Sequence, residues 1–530
     1  MTATQDARRF QETPLAKYAP VADNGGTDPS SARSEVPVMI LSSSRSVELP
    51  ANEIDLCYLP AVDQWRLLVE RRLSARDLLE AYLTRLERIN PHINAIVTMH
   101  ADEAREQAQA ADDALARGEE PGPLHGLVIA HKDLMATKGM RTTWGSKLYE
   151  HVVPAEDAEP AVKMRQAGAI RLGKTNVPEM GAGSHTFNPI FGATRNPYDR
   201  TKSAGGSSGG AGAALASGLL SLADGSDMGG SLRNPGSFNN VVGLRPAPGR
   251  VSRVPVLNGW SNLSVVGGMG RTVADCALLT GVLSGFDPRD PVSLPGDGSE
   301  FIAIAHEEPA RSLKGLRVGW SRDLGGLPVD PTVTDVLEAQ GRPALEGLGA
   351  AVQDLEPDLD GAEESFRILR AWEMAQSYGD IYRKDPSLLS ENVRNNVSWG
   401  IDLTATDIHR ALLARTQLHV RTAALFEQID ILATPAVLIP PFPVDWTWPR
   451  EVAGVPQPDY LGWMRASWHI SATVLPAISV PCGFTADGLP VGIQFVGRAL
   501  AEAEVLRVSM AFEAANPVWR TRPSFPEDAV

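Results

Sequence analysis

The sequence predicts an α/β fold in which a β-sheet lies between layers of helices. Between residues 124 and 320, short apolar segments alternate with segments of helical periodicity, as is typical of α/β proteins. Residues 127–130 and 167–172 are apolar runs of the buried-strand type. Near the C-terminus, 475–480 and 490–496 flank Asp487-Gly488, which predicts a β-hairpin. The predicted core is therefore a sheet with helices on its faces.

The predicted helices precede the first strand and reappear in the second half of the chain. Ser74 followed by Asp77 is typical of a capped helix start, and apolar residues then recur at helical spacing. Residues 101–116 form a second, alanine-rich helix in this prediction, and 330–430 are mostly helical in pattern. Further strands are expected at 316–320 and 429–433. The helix that follows Ser74 and the helix at 101–116 are interpreted as packing elements.

Composition suggests one large ordered unit with flexible ends. The chain has 530 residues, of which 43% are hydrophobic and 21% charged, as in ordinary globular proteins. Residues 1–50 are rich in Ser, Pro, Gly and Ala, which predicts a mobile N-terminal arm that touches the body or a partner subunit through residues 36–40. Residues 51–515 are expected to form a single catalytic domain, and 516–530 a C-terminal tail.

Charge and cysteine content exclude several classes of function. A net charge of -15 argues against a nucleic-acid partner, because phosphate binding needs clustered Lys and Arg. The three cysteines are widely separated and have no metal-ligand spacing, so neither a disulfide framework nor a metal site is expected. The N-terminus lacks the apolar core of a signal peptide, and no apolar run reaches the roughly 18 residues of a membrane span. The predicted location is the cytoplasm.

Two serine clusters framed by glycine dominate residues 203–234. One contains Ser207 and Ser208 between pairs of glycines, and the other is Gly229-Gly-Ser231. Glycine lets a ligand approach the main chain, so such clusters suit a site built from backbone amides. A flexible Gly/Ser linker is the alternative. Residues 211–220 are too apolar for a solvated linker, and this favours a buried site.

A serine nucleophile needs a base for its proton and donors for the oxyanion. Ser207 fits the G-x-S-x-G elbow, but that elbow follows an apolar strand, whereas residues 196–203 are polar and turn-like. Ser231 instead follows small residues whose amides can form an anion-binding nest. Its proton could pass through Ser207 to a neutral lysine. The residue patterns leave Lys132, Lys174 and Lys202 open as that base.

Six ordered motifs make the sequence resemble the amidase signature family of serine hydrolases, over about residues 55 to 500. They are Pro123-Leu-His-Gly126, Ile129-Ala-His-Lys-Asp133, Gly173-Lys-Thr-Asn-Val-Pro-Glu179, Gly205-Gly-Ser-Ser-Gly-Gly210, Gly225-Ser-Asp-Met-Gly-Gly-Ser-Leu-Arg233 and Pro476-Ala-Ile-Ser-Val-Pro481. The resemblance implies a large mixed β-sheet covered by helices on both faces. It also selects Lys132 as the base.

The resemblance implies a Ser–cis-Ser–Lys triad. Ser231 would be the acylated nucleophile, Ser207 the bridging residue after a cis peptide bond, and Lys132 the ultimate base. Main-chain amides of Met228, Gly229, Gly230 and Ser231 would then form the oxyanion hole.

Further residues are assigned around this triad. Main-chain groups of Met180 and Gly181, together with Ser207, are expected to contact the substrate. Ser208, Asp227 and Arg233 are expected to order the loop. His131, where the family often has an aliphatic residue, would either tune Lys132 or be a satisfied core histidine.

The predicted function is hydrolysis of linear amide C–N bonds through a serine acyl-enzyme, without a cofactor. Small amides, esters or carbamates are the expected partners, and the Trp and Phe residues between 442 and 468 favour aryl amides, anilides or carbamates. One alternative is a glutamine-hydrolysing amidotransferase subunit that passes ammonia to a partner protein. Another is a binding or scaffold protein that has kept the fold. A homodimer is left open.

Overall fold

An eleven-stranded mixed β-sheet forms the centre of residues 46–529, the part of the chain that this computed structural model describes. Two short two-stranded ribbons lie outside it. In chain order the strands are β1 (Ile96–Met99), β2 (Val128–Lys132), β3 (Ile170–Thr175), β4 (Phe187–Asn188), β5 (Gly192–Ala193), β6 (Leu222–Asp227), β7 (Val242–Arg245), β8 (Val265–Gly270), β9 (Arg317–Trp320), β10 (Ala351–Asp354), β11 (Ile431–Pro435), β12 (Glu451–Val452), β13 (Val455–Pro456), β14 (Ala477–Phe484) and β15 (Pro490–Gly497).

The order of strands in the large sheet is β1-β3-β2-β6-β8-β7-β14-β15-β11-β9-β10. Strand β2 runs parallel to β3 and β6, and β9 runs parallel to β10 and β11. The remaining pairs, including the predicted hairpin β14–β15, are antiparallel. The predicted α/β class with a mixed sheet is therefore confirmed.

Helices cover the sheet and form the long segment between β10 and β11. The α-helices are Glu53–Tyr58, Ala61–Val69, Ala75–Ile93, Ala101–Ala116, Glu159–Gln166, Gly209–Ala216, Arg233–Phe238, Val273–Leu283, Ser299–Ala305, Pro331–Val336, Arg342–Gly347, Ala362–Lys384, Glu391–Ile401, Ala405–Gln428, Arg465–Thr473 and Glu502–Ala515. The predicted cap at Ser74 is present, since its side chain accepts a hydrogen bond from the amide of Asp77. The region predicted as helical, 330–430, also contains strand β10.

The described residues include little of the predicted N-terminal arm and nearly all of the predicted C-terminal tail. The predicted arm at 1–50 lies outside the described residues up to residue 45, and Val47 is buried. Residues assigned to a C-terminal tail contact the body: Phe525 is buried, and Asp528 accepts a hydrogen bond from Arg85 at 2.6 Å. Within residues 46–529, no helix combines the length and apolar character needed to cross a membrane.

Parallel neighbours in the sheet bring the predicted site residues together. Strand β2 ends at Lys132 and its parallel neighbour β6 ends at Asp227. Because the carboxyl ends of parallel strands meet at one edge, the loop containing Ser231 starts beside Lys132. Helix Gly209–Ala216 begins directly after Ser208 and packs against the same part of the sheet.

Gly210 gives a test of how tightly this helix is packed against the neighbouring loop. A Cβ at Gly210 would lie 2.3 Å from the backbone nitrogen of Asn176, whereas one at Gly347 would have no atom within 4 Å. We expect Gly210→Ala to lower the free energy of unfolding by about 1–3 kcal/mol through overpacking. Gly347→Ala, in an exposed helix, should be neutral or stabilising by up to about 1 kcal/mol. Urea unfolding of both variants measures this, and equal stabilities would contradict it.

Candidate active site

Lys132 is buried, and its ammonium group is surrounded by hydroxyls. Its Nζ donates hydrogen bonds to Ser207 Oγ and Ser208 Oγ, both at 2.8 Å, and to Ser226 Oγ at 3.0 Å. The side chain is only 1% exposed. Among residues 46–529, no carboxylate lies within ion-pair distance of this nitrogen. Lys132 is therefore held by neutral acceptors.

This environment favours the neutral amine. Burial lowers the pKa of Lys132 from 10.5 to about 7, although the carboxylates of Asp227 and Asp224 act in the opposite direction. A lysine with a pKa near 7 has a large neutral fraction at neutral pH, and only the neutral form can accept a proton. The position of Lys132 thus suits a general base.

The two serines singled out in the sequence share one cavity. The peptide bond between Gly206 and Ser207 is cis. Ser207 and Ser231 both line a cavity of about 190 Å³. The amide of Ser208 donates to the carbonyl oxygen of Ser231 at 3.2 Å, which joins the two serine segments directly. Ser207 therefore contacts Lys132 on one side and the cavity on the other.

A buried ion cluster holds the loop that carries Ser231. Asp227 Oδ1 lies 2.9 Å from Arg233 Nη2 and 3.3 Å from Arg245 Nη1. Burial would raise the pKa of Asp227, but the two guanidinium groups outweigh burial and hold that pKa well below its usual range. Arg233 also donates to the carbonyl oxygen of Ser467 and to Gln494 Oε1. The cluster links the loop to two distant segments.

The amides predicted for the oxyanion hole are not equivalent. The N–H of Gly230 donates to Asp227 Oδ1 at 2.9 Å, so its single proton is already used. The predicted set of oxyanion-hole donors is therefore corrected by removing the Gly230 amide. The N–H groups of Met228, Gly229 and Ser231 make no hydrogen bond to any described residue. These three amides are the available donors.

The predicted substrate contacts lie at the cavity but present different groups. Met180 and Gly181 both line it, and both have positive φ angles, 52° and 69°. Their N–H groups donate to the carbonyls of Trp144 and Pro178. Any main-chain contact with a substrate from this turn would therefore use carbonyl oxygens.

Ser208 forms a hydrogen bond with the Lys132 side chain, whereas His131 does not. His131 is fully buried, and its Nδ1 lies 2.9 Å from Asp224 Oδ1, but its Nε2 is buried without a hydrogen-bond partner among the described residues, so only one side of the ring is satisfied. It does not line the described cavity. Ser208, assigned to loop support, accepts directly from Lys132 Nζ, and so does Ser226, which sequence reasoning did not single out.

One wall of the cavity comes from a helix in the region 330–430, for which the sequence predicts a mostly helical pattern but no role in the site. The lining side chains on helix Ala362–Lys384 are Phe366, Arg370, Glu373, Met374, Ser377 and Tyr378. They recur at helical spacing, but the pattern does not distinguish a cavity wall from a core face. Of the aromatic residues expected near the substrate, Trp463 and Trp468 are buried in the core, and neither lines the described cavity. Trp468 stacks on Phe366 instead.

Comparison with known proteins identifies the family. The family model for amidases, described as "Amidase", matches residues 77–506, which is most of the chain. The chain belongs to the amidase family. Members of this family act on carbon–nitrogen bonds of amides, so this amidase is an enzyme of that class.

Individual relatives include both amidases and amidotransferase subunits. The A subunit of glutamyl-tRNA(Gln) amidotransferase from Moorella thermoacetica is 35% identical over 494 residues, covering 89% of this amidase and 99% of the relative. A bacterial aryl acylamidase superposes with a TM-score of 0.81 at 28% identity, covering 88% and 99% of the two chains. The corresponding A subunit from Thermotoga maritima superposes with a TM-score of 0.69 at 26% identity, covering 89% and 98%.

The depressed pKa of Lys132 predicts a pH dependence for the reactivity of Ser231. Because the neutral amine is the active form, the rate should rise about tenfold per unit below pH 6 and level off above about pH 8. The rate of labelling by a serine-directed phosphonate measures this without choosing a substrate. Circular dichroism at each pH checks that the protein stays folded. A flat profile from pH 5 to 9 would contradict the role of Lys132.

Ser226 offers a second test, since its hydroxyl accepts a hydrogen bond from Lys132. Ser226→Ala should slow phosphonate labelling about 3- to 10-fold, because the lysine loses one of its acceptors. Ser226→Thr keeps the hydroxyl and should restore most of the rate. The melting temperature is measured for both variants. Wild-type labelling by the alanine variant would show that Ser226 does not position Lys132.

Proposed function

We propose that this amidase hydrolyses small linear amides through a covalent acyl intermediate on Ser231. The observation that carries the proposal is the buried Lys132, which lies 2.8 Å from Ser207 Oγ while Ser207 and Ser231 face one cavity. A nucleophile, a proton path and a base with a pKa of about 7 are the parts that acyl transfer requires.

The proposed reaction begins with two linked proton transfers. The neutral amine of Lys132 takes the proton of Ser207, and Ser207 takes the proton of Ser231 as Ser231 Oγ attacks the amide carbonyl. Neutral Lys132 can still donate to Ser208 and Ser226 while its lone pair accepts from Ser207. The available amides of Met228, Gly229 and Ser231 stabilise the oxyanion.

Collapse of the tetrahedral intermediate breaks the C–N bond. The proton held by Lys132 returns through Ser207 to the leaving nitrogen, and ammonia or an amine departs. Water then attacks the acyl-enzyme by the same proton path, and a carboxylate is released. The charge that develops on oxygen during both steps lies next to main-chain N–H groups, which stabilise it.

The size and lining of the cavity support a compact substrate. A cavity of about 190 Å³ is smaller than the roughly 300–1,000 Å³ of sites for drug-sized ligands, and not much larger than a benzene-sized cavity of about 150 Å³. Phe366, Met374, Leu461 and Met464 supply apolar wall. One aromatic ring or a short acyl chain fits this space, in keeping with aryl amides and anilides.

A second candidate is a glutamine-hydrolysing amidotransferase subunit. The curated relatives favour it, since amidotransferase A subunits are 32–35% identical and cover 85–89% of this chain. Structural similarity favours the stand-alone amidase instead, since the TM-score is 0.81 for the aryl acylamidase and 0.69 for the Thermotoga amidotransferase subunit. Both candidates use the same acyl-Ser231 chemistry and differ in substrate and partner.

One set of measurements tests the chemistry and separates the two candidates. Ser231→Ala should abolish both amide turnover and phosphonate labelling, at least 1,000-fold, because no other group can carry the acyl chain. The wild-type chain alone is assayed on acetanilide, propionamide and glutamine. Turnover of acetanilide supports the stand-alone amidase, and glutamine turnover confined to co-purified protein supports the amidotransferase. Turnover retained by Ser231→Ala would overturn the proposal.

A further inference from the structure

Helix Ala405–Gln428 exposes an apolar side to solvent. Only three of its 24 residues are buried, where the helix packs against helix Ala362–Lys384. On its outer side, Leu412, Leu413 and Val420 are 47%, 50% and 63% exposed. A single exposed leucine is ordinary in a soluble protein, but three large apolar side chains on one side of a helix mark an interaction surface. This side of the helix therefore calls for a partner.

The exposed residues repeat with the spacing of a helix–helix seam. Along the outer side, exposed positions follow one another at intervals of four, three, four, three and four residues. Alternating steps of three and four keep side chains in one line that can face a second helix, as in coiled coils. The one acidic residue of this line stands at its end. The line, here called the outer face, consists of His409, Leu413, Thr416, Val420, Ala423 and Glu427.

The outer face is complementary in size to a second, antiparallel copy of itself. Residue 418 lies midway between Leu413 and Ala423, and also midway between Thr416 and Val420. With a two-fold axis at the level of residue 418, Leu413 faces Ala423 of the other copy. Val420 then faces Thr416, and the symmetry repeats both contacts. Each pair sets a larger side chain against a smaller one, which lets two helices approach and interdigitate.

The ends of the outer face are complementary in charge in the same register. His409 stands nine residues before the axis and Glu427 nine residues after it, so the two meet across the interface. An imidazole N–H can donate to a carboxylate whether or not the ring is charged. Arg410, which follows His409, is already paired with Glu364 and Asp407 of its own chain. A parallel pairing would instead set Glu427 against Glu427, and like charges repel.

We propose that two copies of this chain associate through the outer faces of helix Ala405–Gln428, antiparallel about a two-fold axis at residue 418. Leu412 faces Ala424 of the other copy in this register, so the third exposed leucine or valine side chain is covered as well. The driving force is the removal of these apolar side chains from water. The association is independent of the proposed amide hydrolysis.

The length of the outer face determines the strength of this association. From His409 to Glu427 the face extends over about 27 Å, because each helical residue adds about 1.5 Å. With a helix width of about 10 Å, its footprint is roughly 300 Å² on each copy, compared with about 800 Å² for a standard interface. The dimer is therefore weak and reversible, with a dissociation constant of about 1–100 µM.

Sedimentation equilibrium of the full-length chain tests the association. The wild type should shift from monomer to dimer between about 1 and 200 µM. Leu413→Glu and Val420→Glu should each raise the dissociation constant about tenfold or more, because each places a carboxylate within the apolar seam. The matched control is Leu500→Glu, at a leucine that is 53% exposed and lies outside this helix; it should leave the dissociation constant unchanged.

Cysteine cross-linking tests the antiparallel register. Thr416→Cys and Val420→Cys are prepared as separate proteins, and the three native cysteines do not compete because they are buried. Mixing the two variants under mild oxidation should give a mixed disulfide, since these positions face each other across the axis. Each variant alone holds its two cysteines about one helical turn apart and should cross-link about fivefold more slowly. Mass spectrometry identifies the disulfide.

Each of these outcomes decides for or against the inference. A wild type that stays monomeric up to about 200 µM overturns it and leaves the outer face to a different protein. A dimer that both glutamate variants leave intact shows that another surface mediates association. Faster cross-linking within each single variant than in the mixture would indicate parallel helices and overturn the register. Circular dichroism checks that the glutamate variants fold, and if they do not, the cysteine pair decides.

Discussion

The burial of Lys132 among neutral hydroxyls is the constraint on which the proposed chemistry depends. A lysine in contact with a carboxylate would stay charged and could not serve as a base. Both nearby carboxylates are occupied elsewhere: Asp227 is paired with two arginines and Asp224 with His131. Ser207, Ser208 and Ser226 then satisfy the lysine without holding it in the charged form.

The same ion cluster connects the loop geometry to the core. Asp227 accepts from the amides of Gly230 and Leu232, which shapes the turn before helix Arg233–Phe238. By taking up the Gly230 amide it also determines which neighbouring amides remain for an oxyanion. Arg233 extends the network to Ser467 and Gln494. A buried charge that loses its partner costs several kcal/mol, so this loop is strongly determined.

The cavity combines two parts of the chain with different roles. The residues of the proposed triad and the loop that carries Ser231 come from the first half of the chain, at the edge formed by β2 and β6. Other lining residues come from helix Ala362–Lys384 and from the segment that contains Leu461 and Met464. Side chains on that helix can therefore change the preferred substrate without altering the proton path. Arg370 on that helix contacts the loop that carries Ser231 through Met228.

The residues of β2, the hairpin β14–β15 and the cap at Ser74 could be predicted from the sequence, because their signals are local patterns of apolarity and turn chemistry. The family motifs likewise identified Lys132, Ser207 and Ser231 as one set. Three features were decided only by tertiary structure: the contact of Ser226 with Lys132, the use of the Gly230 amide by Asp227, and the position of Arg370 at the cavity. Arg370 and Met228 are 142 positions apart, and helical periodicity alone does not show that the arginine lies at a cavity. Such sites form where distant segments of the chain meet. The effect of a charge there depends on which groups from other segments lie within interaction distance, and local sequence patterns do not contain this information.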